Sequence, residues 1–277
     1  MKQSTFQQFS ALAQQNFGIQ LPPAKQALLE SRLFKLMNDN SGQPELASEE
    51  AFLDYVKRDT TGKALAMLAE AITTHHTFFM READHFTFYG QQVLPYLEST
   101  IGDGDVRTWC AASSTGEEAY ILAMLLEDYF GLKGPQWETT LLATDLSRDV
   151  LEKGKNGLYP RESVQTLPAH WQARYFQPAA NGYCQVVESL RRKVLFRQFN
   201  LINPTFPFKK PFHVIFCRNV MIYFDGPTRA ALVQRFADFW SRVVFCLLVI
   251  LRLLIGRPTI LNMLCRQFIE RRERSHE

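Results

Sequence analysis

Four short stretches of this sequence combine residue types and spacings that suit ligand chemistry. Asp145 ends the apolar run Thr140-Leu-Leu-Ala-Thr-Asp. In open α/β sheets an acid at that place holds ribose hydroxyls, and its competing role is N-cap of the helix that follows. Glu117 and Glu118 come directly after the small-residue turn Ala112-Ser-Ser-Thr-Gly. They would repel a phosphate and suit a cationic ligand, or they compensate the positive end of a helix. The turn is not GxGxxG, so a dinucleotide pyrophosphate is poorly supported. Arg218 and Asn219 end the apolar run Phe212-His-Val-Ile-Phe-Cys, where a guanidinium and an amide need partners that a ligand could supply. His75, Thr77 and Arg81 could share one helix face and aim donors at a carboxylate. Adjacent His75 and His76 cannot both face one metal from a helix, and no other ligand set has metal spacing, so no metal site is expected.

The elements that must carry these residues fall into two groups. Up to about residue 90 the apolar spacing is helical. Phe6, Phe9, Leu12, Ala13 and Phe17 precede Gly18 as a C-cap, and Leu28, Leu29, Leu33, Leu36 and Met37 form one face of a helix over 24–37. Its other face carries Lys25, Arg32 and Lys35, either as a solvated face or as a docking surface. Shorter helices are expected over 50–57 and 63–72. Beyond residue 90, strands over 106–112, 140–145, 193–197 and 212–217 alternate with helices over 116–129 and 146–155. That order implies βαβ crossovers and a mostly parallel sheet, an α/β fold. Tyr183-Cys-Gln-Val-Val-Glu and Lys193-Val-Leu-Phe read as an antiparallel pair, a small β insertion.

With 277 residues, 46% apolar and 21% charged, the chain is globular, with room for one large domain or two modest ones. A net charge of +3 is too small to imply a nucleic-acid partner. The five cysteines are widely spaced without a CxxC pair, which argues against a disulfide framework and fits a reduced, cytoplasmic protein. The first residues lack the apolar core of a signal peptide. The apolar run Val243 to Ile255 contains Arg252 and falls short of the ~20 residues that a membrane helix needs, so no membrane insertion is expected.

Five blocks make the pattern specific: ITTHHTFFMREADHF, VRTWCAASSTGEEAYILAMLL, LLATDLSRDVLEKGKNGLY, FNLINP and FHVIFCRNVMIYFD. In this order they resemble the CheR family of chemoreceptor glutamate methyltransferases. The resemblance implies an N-terminal helical domain over 1–90. Over 91–277 it implies a class I S-adenosylmethionine-dependent methyltransferase sheet with a small inserted β-subdomain. The implied reaction is methyl transfer from S-adenosylmethionine to glutamate side chains of chemoreceptor cytoplasmic helices by a monomer. Carried over residue by residue, the cofactor contacts fall on His75, Thr77, Arg81, Glu117, Asp145, Asn200, Leu201, Arg218 and Asn219. The family commonly has Asn where this chain has His75. Glu117 then suits the cationic amino-acid end of the cofactor, Asp145 the ribose and Asn200-Leu201 the adenine. Arg81 and Tyr223 are the candidates for positioning the substrate or the methyl end, and Tyr223 equally suits packing at a strand end.

After Phe236-Ala-Asp-Phe the resemblance stops. The family continues with a Pro-Gly-Gly turn, an apolar strand and a Gly-His-Ser-Glu segment, whereas residues 239–277 form an atypical tail. With permitted codons, a two-base shift at Trp240 reads VPGGFLLIGHSE, and the same frame later gives AMPPVYR. The reading is a frameshifted gene, against a divergent tail. It implies a lost edge of the sheet, an aggregation-prone run over Val243 to Ile255, and a weak or inactive remnant that still binds cofactor or receptor.

Overall fold

The computed structural model describes residues 1–245 and opens with four helices. α1 (Gln3–Phe17) buries Phe6, Phe9, Ala13 and Phe17, spaced for one face. It ends at Gly18, whose φ of 70° lets its N–H return to the Gln14 carbonyl at 2.9 Å. α2 (Gln26–Asp39) buries Leu29 and Leu33, while Leu28 is 40% exposed and lies off the expected face. α3 (Glu49–Arg58) is capped by Ser48, and α4 (Lys63–Ile72) follows. The Lys25, Arg32 and Lys35 face is not simply solvated. Arg32 Nη1 donates to the carbonyls of Ala71 (3.2 Å) and Thr73 (2.7 Å), satisfying acceptors that the end of α4 leaves open. α2 thereby fixes where the chain leaves α4.

Two short helices, α5 (Asp84–Phe88) and α6 (Leu94–Thr100), flank a π-helical turn and lead into the sheet. β1 (Thr108–Ala111), α7 (Glu117–Phe130), β2 (Leu141–Asp145) and α8 (Arg148–Asn156) follow in βαβ order. The inserted unit comprises β3 (Leu158–Pro160), α9 (Arg161–Val164), α10 (Ala169–Tyr175), β4 (Phe176–Pro178) and β5 (Tyr183–Val186). α11 (Glu188–Arg191), β6 (Val194–Gln198), β7 (Phe212–Cys217), α12 (Gly226–Asp238) and β8 (Trp240–Phe245) complete the order. The main sheet runs β6-β2-β1-β7-β8, and every pairing in it is parallel. β1 and β7 are buried throughout, as strands covered on both faces must be.

The structure corrects two pairing expectations. Tyr183–Val186 does not pair with the 193–196 run. It is the centre of a small antiparallel sheet, β3-β5-β4, while Val194–Gln198 joins the main sheet beside β2. The helical turn α11 separates the two runs, and β6 buries Val194 and Phe196 but exposes Leu195, the alternation of an edge strand covered on one side. The outer edge of β7 is not unpaired either. The backbone of Trp240–Phe245 pairs parallel to it, with a register shift between Phe212 and Val214. Parallel pairing needs a strand-competent backbone more than a particular sequence, and Val243-Val-Phe is strand-prone. The remainder of the Val243 to Ile255 run, and the tail on which the frameshift reading rests, lie outside the described residues.

Two hydrophobic clusters sandwich the sheet. One joins Cys110, Val214 and Phe216 to α5–α7 and the inserted unit. The other joins Trp109, Ala111, Ile215 and Cys217 to the buried faces of α1–α4 and α12. The helical N-terminal residues therefore share one side of the sheet's core with α12 and the 199–212 segment.

Candidate functional site

A cavity of about 350 Å³ opens beyond the carboxyl ends of β1, β2 and β7. This is where ligands sit in open α/β sheets, and the size is within the usual range for small-molecule sites. Its floor is the turn after β1. Ala112 (φ 64°), Ser114 (φ 50°) and Gly116 (φ 97°) bend the chain so that Ser114 N–H donates to Asp145 Oδ2 at 2.9 Å. A Cβ on Gly116 would meet the Phe196 ring and the Tyr159 hydroxyl at 3.0 Å and Gly154 Cα at 3.2 Å, so the turn passes too close to α8 for a side chain.

Asp145 lines the cavity and is not the helix cap. Ser147 caps α8, its Oγ accepting from Val150 N–H at 3.2 Å, while Asp145 Oδ1 accepts from Ser147 N–H at 3.1 Å. Each carboxylate oxygen thus holds one backbone donor and keeps a lone pair for a ligand. Burial raises its pKa above the ordinary aspartate value, against the pull of those two donors. Ser113 Oγ, also on the wall, is buried without a hydrogen-bond partner. A polar ligand would satisfy it.

The shared helix face expected for His75, Thr77 and Arg81 is absent. Residues 73–78 form neither helix nor strand and alternate between partly buried and exposed, with Phe79 buried. His75 and Thr77 both fall on the partly buried side of this segment, with no helix to align them. Both line the cavity, as does Arg81 from the following turn, where Nη1 donates to the His76 carbonyl at 2.7 Å. Thr73 Oγ1 donates to the Ala69 carbonyl (2.7 Å) and lies 2.9 Å from His75 Nε2, which also stands 3.7 Å from Glu70 Oε2.

Glu117 is not brought to the cavity. It is buried, accepts from the Thr115 hydroxyl at 2.6 Å, and burial raises its pKa. Its neighbour Glu118 lines the wall instead, receiving Arg218 Nη1 at 3.0 Å and the Cys110 thiol at 3.2 Å. Both acids stand at the helix start in the sequence, but only the direction of the first turn of α7 separates them. Arg218 and Asn219 line the cavity too, yet their partners are carboxylates of this chain, Glu118 and Glu82, rather than a ligand alone.

Asn200 and Leu201 line the far wall. The Asn200 amide is anchored internally, Nδ2 donating to the Asn16 carbonyl (2.8 Å) and Oδ1 accepting from Ile202 N–H (3.2 Å), which leaves one N–H and one lone pair for a ligand. Tyr223 lines the cavity, its carbonyl accepting from Gln20 N–H at 2.8 Å and its ring centroid 5.9 Å from Lys25 Nζ. Phe17 and Ile19 of the helical part also line the cavity, and nothing in their local sequence marks them as site residues. Among the described residues no cluster of three or more His, Cys, Asp or Glu could hold a metal ion, and no helix is long and apolar enough to cross a membrane.

Residues 75–244 match the family described as CheR methyltransferase, SAM binding domain, and residues 4–73 match the CheR methyltransferase, all-alpha domain. The chain is similar to the chemotaxis protein methyltransferase of Borreliella burgdorferi, 35% identical over 236 residues, 84% of this chain and 82% of that one. It is 32% identical to the Escherichia coli chemotaxis protein methyltransferase over 234 residues, 83% of this chain and 78% of the relative. A solved glycopeptide N-methyltransferase complexed with S-adenosyl-L-methionine is similar over 57% of this chain and 52% of its own, at 14% identity and a TM-score of 0.31, too slight a likeness to argue from. With both halves matched and the cavity set at the sheet ends, this chain belongs to the CheR methyltransferase family, an all-α domain joined to a domain that binds S-adenosylmethionine.

Proposed function

We propose that the protein transfers a methyl group from S-adenosylmethionine to glutamate side chains of chemoreceptors in the cytoplasm, forming methyl esters. The observation that carries this reading is the cavity. It ends in the acids Asp145 and Glu118 and opens past Arg81 and Tyr223, within a chain matched from residue 4 to residue 244. The names of the relatives supply the setting in chemotaxis.

Bound S-adenosylmethionine supplies an electrophilic methyl carbon. Asp145, with a free lone pair on each oxygen, would hold the ribose hydroxyls, and Ser113 Oγ offers a further polar contact. Glu118 would face the cationic amino-acid end, taking the part expected of Glu117. Asn200, through its remaining N–H and lone pair, and Leu201 would meet the adenine. The acceptor glutamate is already ionised at neutral pH, with an unperturbed pKa of about 4.3, so no residue need remove a proton. What remains is alignment. Arg81 at the mouth would steer the anionic side chain, and Tyr223 would limit its approach, so proximity supplies most of the rate.

The test is methylation of receptor cytoplasmic fragments by the purified protein, using labelled S-adenosylmethionine. Base-labile label on glutamate is the expected result. Base-stable label would exclude the ester. Binding of S-adenosylhomocysteine with no incorporation would identify a binding-only remnant.

A further inference from the structure

The loops that wall the cavity hold five of the six non-glycine residues with positive φ among the described residues: Met80, Glu82, Ala112, Ser114 and Asn219. Side chains with a Cβ disfavour this conformation, so it persists only where the surroundings enforce it. For Glu82 (φ 56°) and Asn219 (φ 58°) the enforcing contacts are mutual. Glu82 Oε1 accepts from Asn219 Nδ2 at 3.0 Å, and Glu82 Oε2 lies 3.3 Å from Arg218 Nη2. Arg218 Nη2 also donates to the Arg81 carbonyl, while Nη1 pairs with Glu118. The Arg218 side chain is 1% exposed, and its guanidinium lies 4.9 Å from the Phe86 ring centroid. One buried cation thus ties the turn after Phe79, the start of α7 and the end of β7.

Glu82 does not line the cavity, whereas Arg81, Glu118, Arg218 and Asn219 do. We propose that Glu82 is a positioning residue for methyl transfer: with Arg218 it latches the 80–82 turn to the end of β7 and so sets where Arg81 and Asn219 stand. The carboxylate has two jobs that no neutral side chain does together. One oxygen holds the Asn219 amide, and the charge on the other holds the guanidinium that grips the Arg81 carbonyl. Burial works against its ionisation, but Asn219 and Arg218 hold the Glu82 carboxyl below its ordinary range. His85 Nδ1 is also 3.2 Å from Oε2, and Glu118 faces the same guanidinium from α7. Without Glu82, Arg218 keeps Glu118 and is free to swing toward it, releasing the turn that carries Arg81.

The inference rests on the methyltransferase reading for its kinetic arm only; its binding arm needs no receptor. Wild type, Glu82→Gln, Glu82→Asp and Glu82→Ala are compared as full chains. The readings are S-adenosylhomocysteine affinity by calorimetry, kcat and KM for receptor fragments, and a thermal melt. Glu82→Gln keeps an acceptor for Asn219 and loses the charge, so kcat and affinity both fall. Misplacement of a group by about 1 Å costs up to ~100-fold in rate, so kcat should fall about 10-fold in Glu82→Gln and further in Glu82→Ala. Glu82→Asp, which keeps the charge, should recover part of the loss, with receptor KM and the melt close to wild type. Unchanged affinity and kcat in Glu82→Gln would overturn the latch. So would losses that track the folded fraction alone. Should Glu82→Ala fail to fold, Glu82→Gln and Glu82→Asp carry the test. If wild type itself methylates no receptor, the proposed substrate fails, and the affinity arm still decides the latch.

Discussion

Asp145 and Arg81 are the side chains on which the cofactor and the acceptor should most depend. Asp145 accepts Ser114 and Ser147 N–H groups and keeps one lone pair on each oxygen. Asp145→Asn should weaken S-adenosylhomocysteine binding by about 1.5–3 kcal/mol, the range for hydrogen bonds to a charged group, measured by calorimetry. Burial raises its pKa, so the folded chain binds this proton more tightly than the unfolded chain. Its contribution to stability therefore falls as pH rises from the ordinary aspartate range through the raised value. Ligand binding follows the opposite sign, since ribose hydroxyls favour the charged form. Affinity should decline as the solution is acidified toward the raised Asp145 value, and Asp145→Asn should remove that decline. Arg81 donates to the His76 carbonyl and lines the mouth. Arg81→Ala should abolish labelled methyl incorporation, and Arg81→Lys should rescue it poorly, because an ammonium cannot hold that carbonyl and a carboxylate with one planar fork. Full activity in the lysine variant would refute the role.

The C-terminal end of α1 is the element that couples the helical part to the cavity. Within Asn16–Gln20, one carbonyl holds the Asn200 amide, one N–H holds the Tyr223 carbonyl, and Ile19 bridges to Phe224. Gly18 makes this possible. A Cβ there would stand 2.8 Å from Ile202 Cγ2 and 3.0 Å from Thr228 Cγ2, at a φ that L residues avoid. Gly18→Ala should destabilise the chain by about 1–2 kcal/mol from the backbone alone. It should also weaken cofactor binding by shifting the Asn200-Leu201 loop. Urea unfolding and calorimetry on the same variant separate the two effects. The inserted unit is fastened differently: Asp128 on α7 receives the Trp171 indole N–H (2.6 Å), the Tyr175 hydroxyl (2.5 Å) and Arg174 Nη1 (2.8 Å). One carboxylate held by three donors fixes α10 to the main domain without touching the cavity.

At the scale of the molecule, the helical residues and one face of the sheet share a single core, so the two matched domains should unfold together. His213 reports on this shared fold. It is buried at the start of β7, its Nδ1 accepts from Arg107 N–H at 3.0 Å, and its Nε2 lies 2.8 Å from Arg107 Nη2. Burial first, and the Arg107 charge second, lower its pKa to about 4. The unfolded chain, with an unperturbed value of about 6.5, then binds this proton more readily than the folded one. Stability should therefore fall as pH drops from about 6.5 toward 4, and His213→Gln should flatten that slope. Melting curves across that window are the measurement, and an unchanged slope would refute the assignment.

Periodicity and punctuation in the sequence were enough for α1 through α4, the βαβ order of β1, α7, β2 and α8, and the polar strand ends at Asp145 and Arg218. These are local matters, decided by which neighbours in the chain are apolar and where Gly or Ser interrupts them. Five ordered blocks then pointed to the family. Tertiary structure decided what local pattern leaves degenerate. Glu117 and Glu118 differ by one step of 100° around α7, and only the packing of its first turn turns Glu118 toward Arg218. The 183–196 stretch offers two strand-like runs, and only the insertion's own core sends one to β3 and β4 and the other to β2. Phe17 and Ile19 become cavity walls, and Asn200 a structural tie, through contacts nearly two hundred residues apart in the chain. No window along the sequence spans that distance, because such contacts are fixed by the shared burial of apolar faces rather than by neighbouring residues.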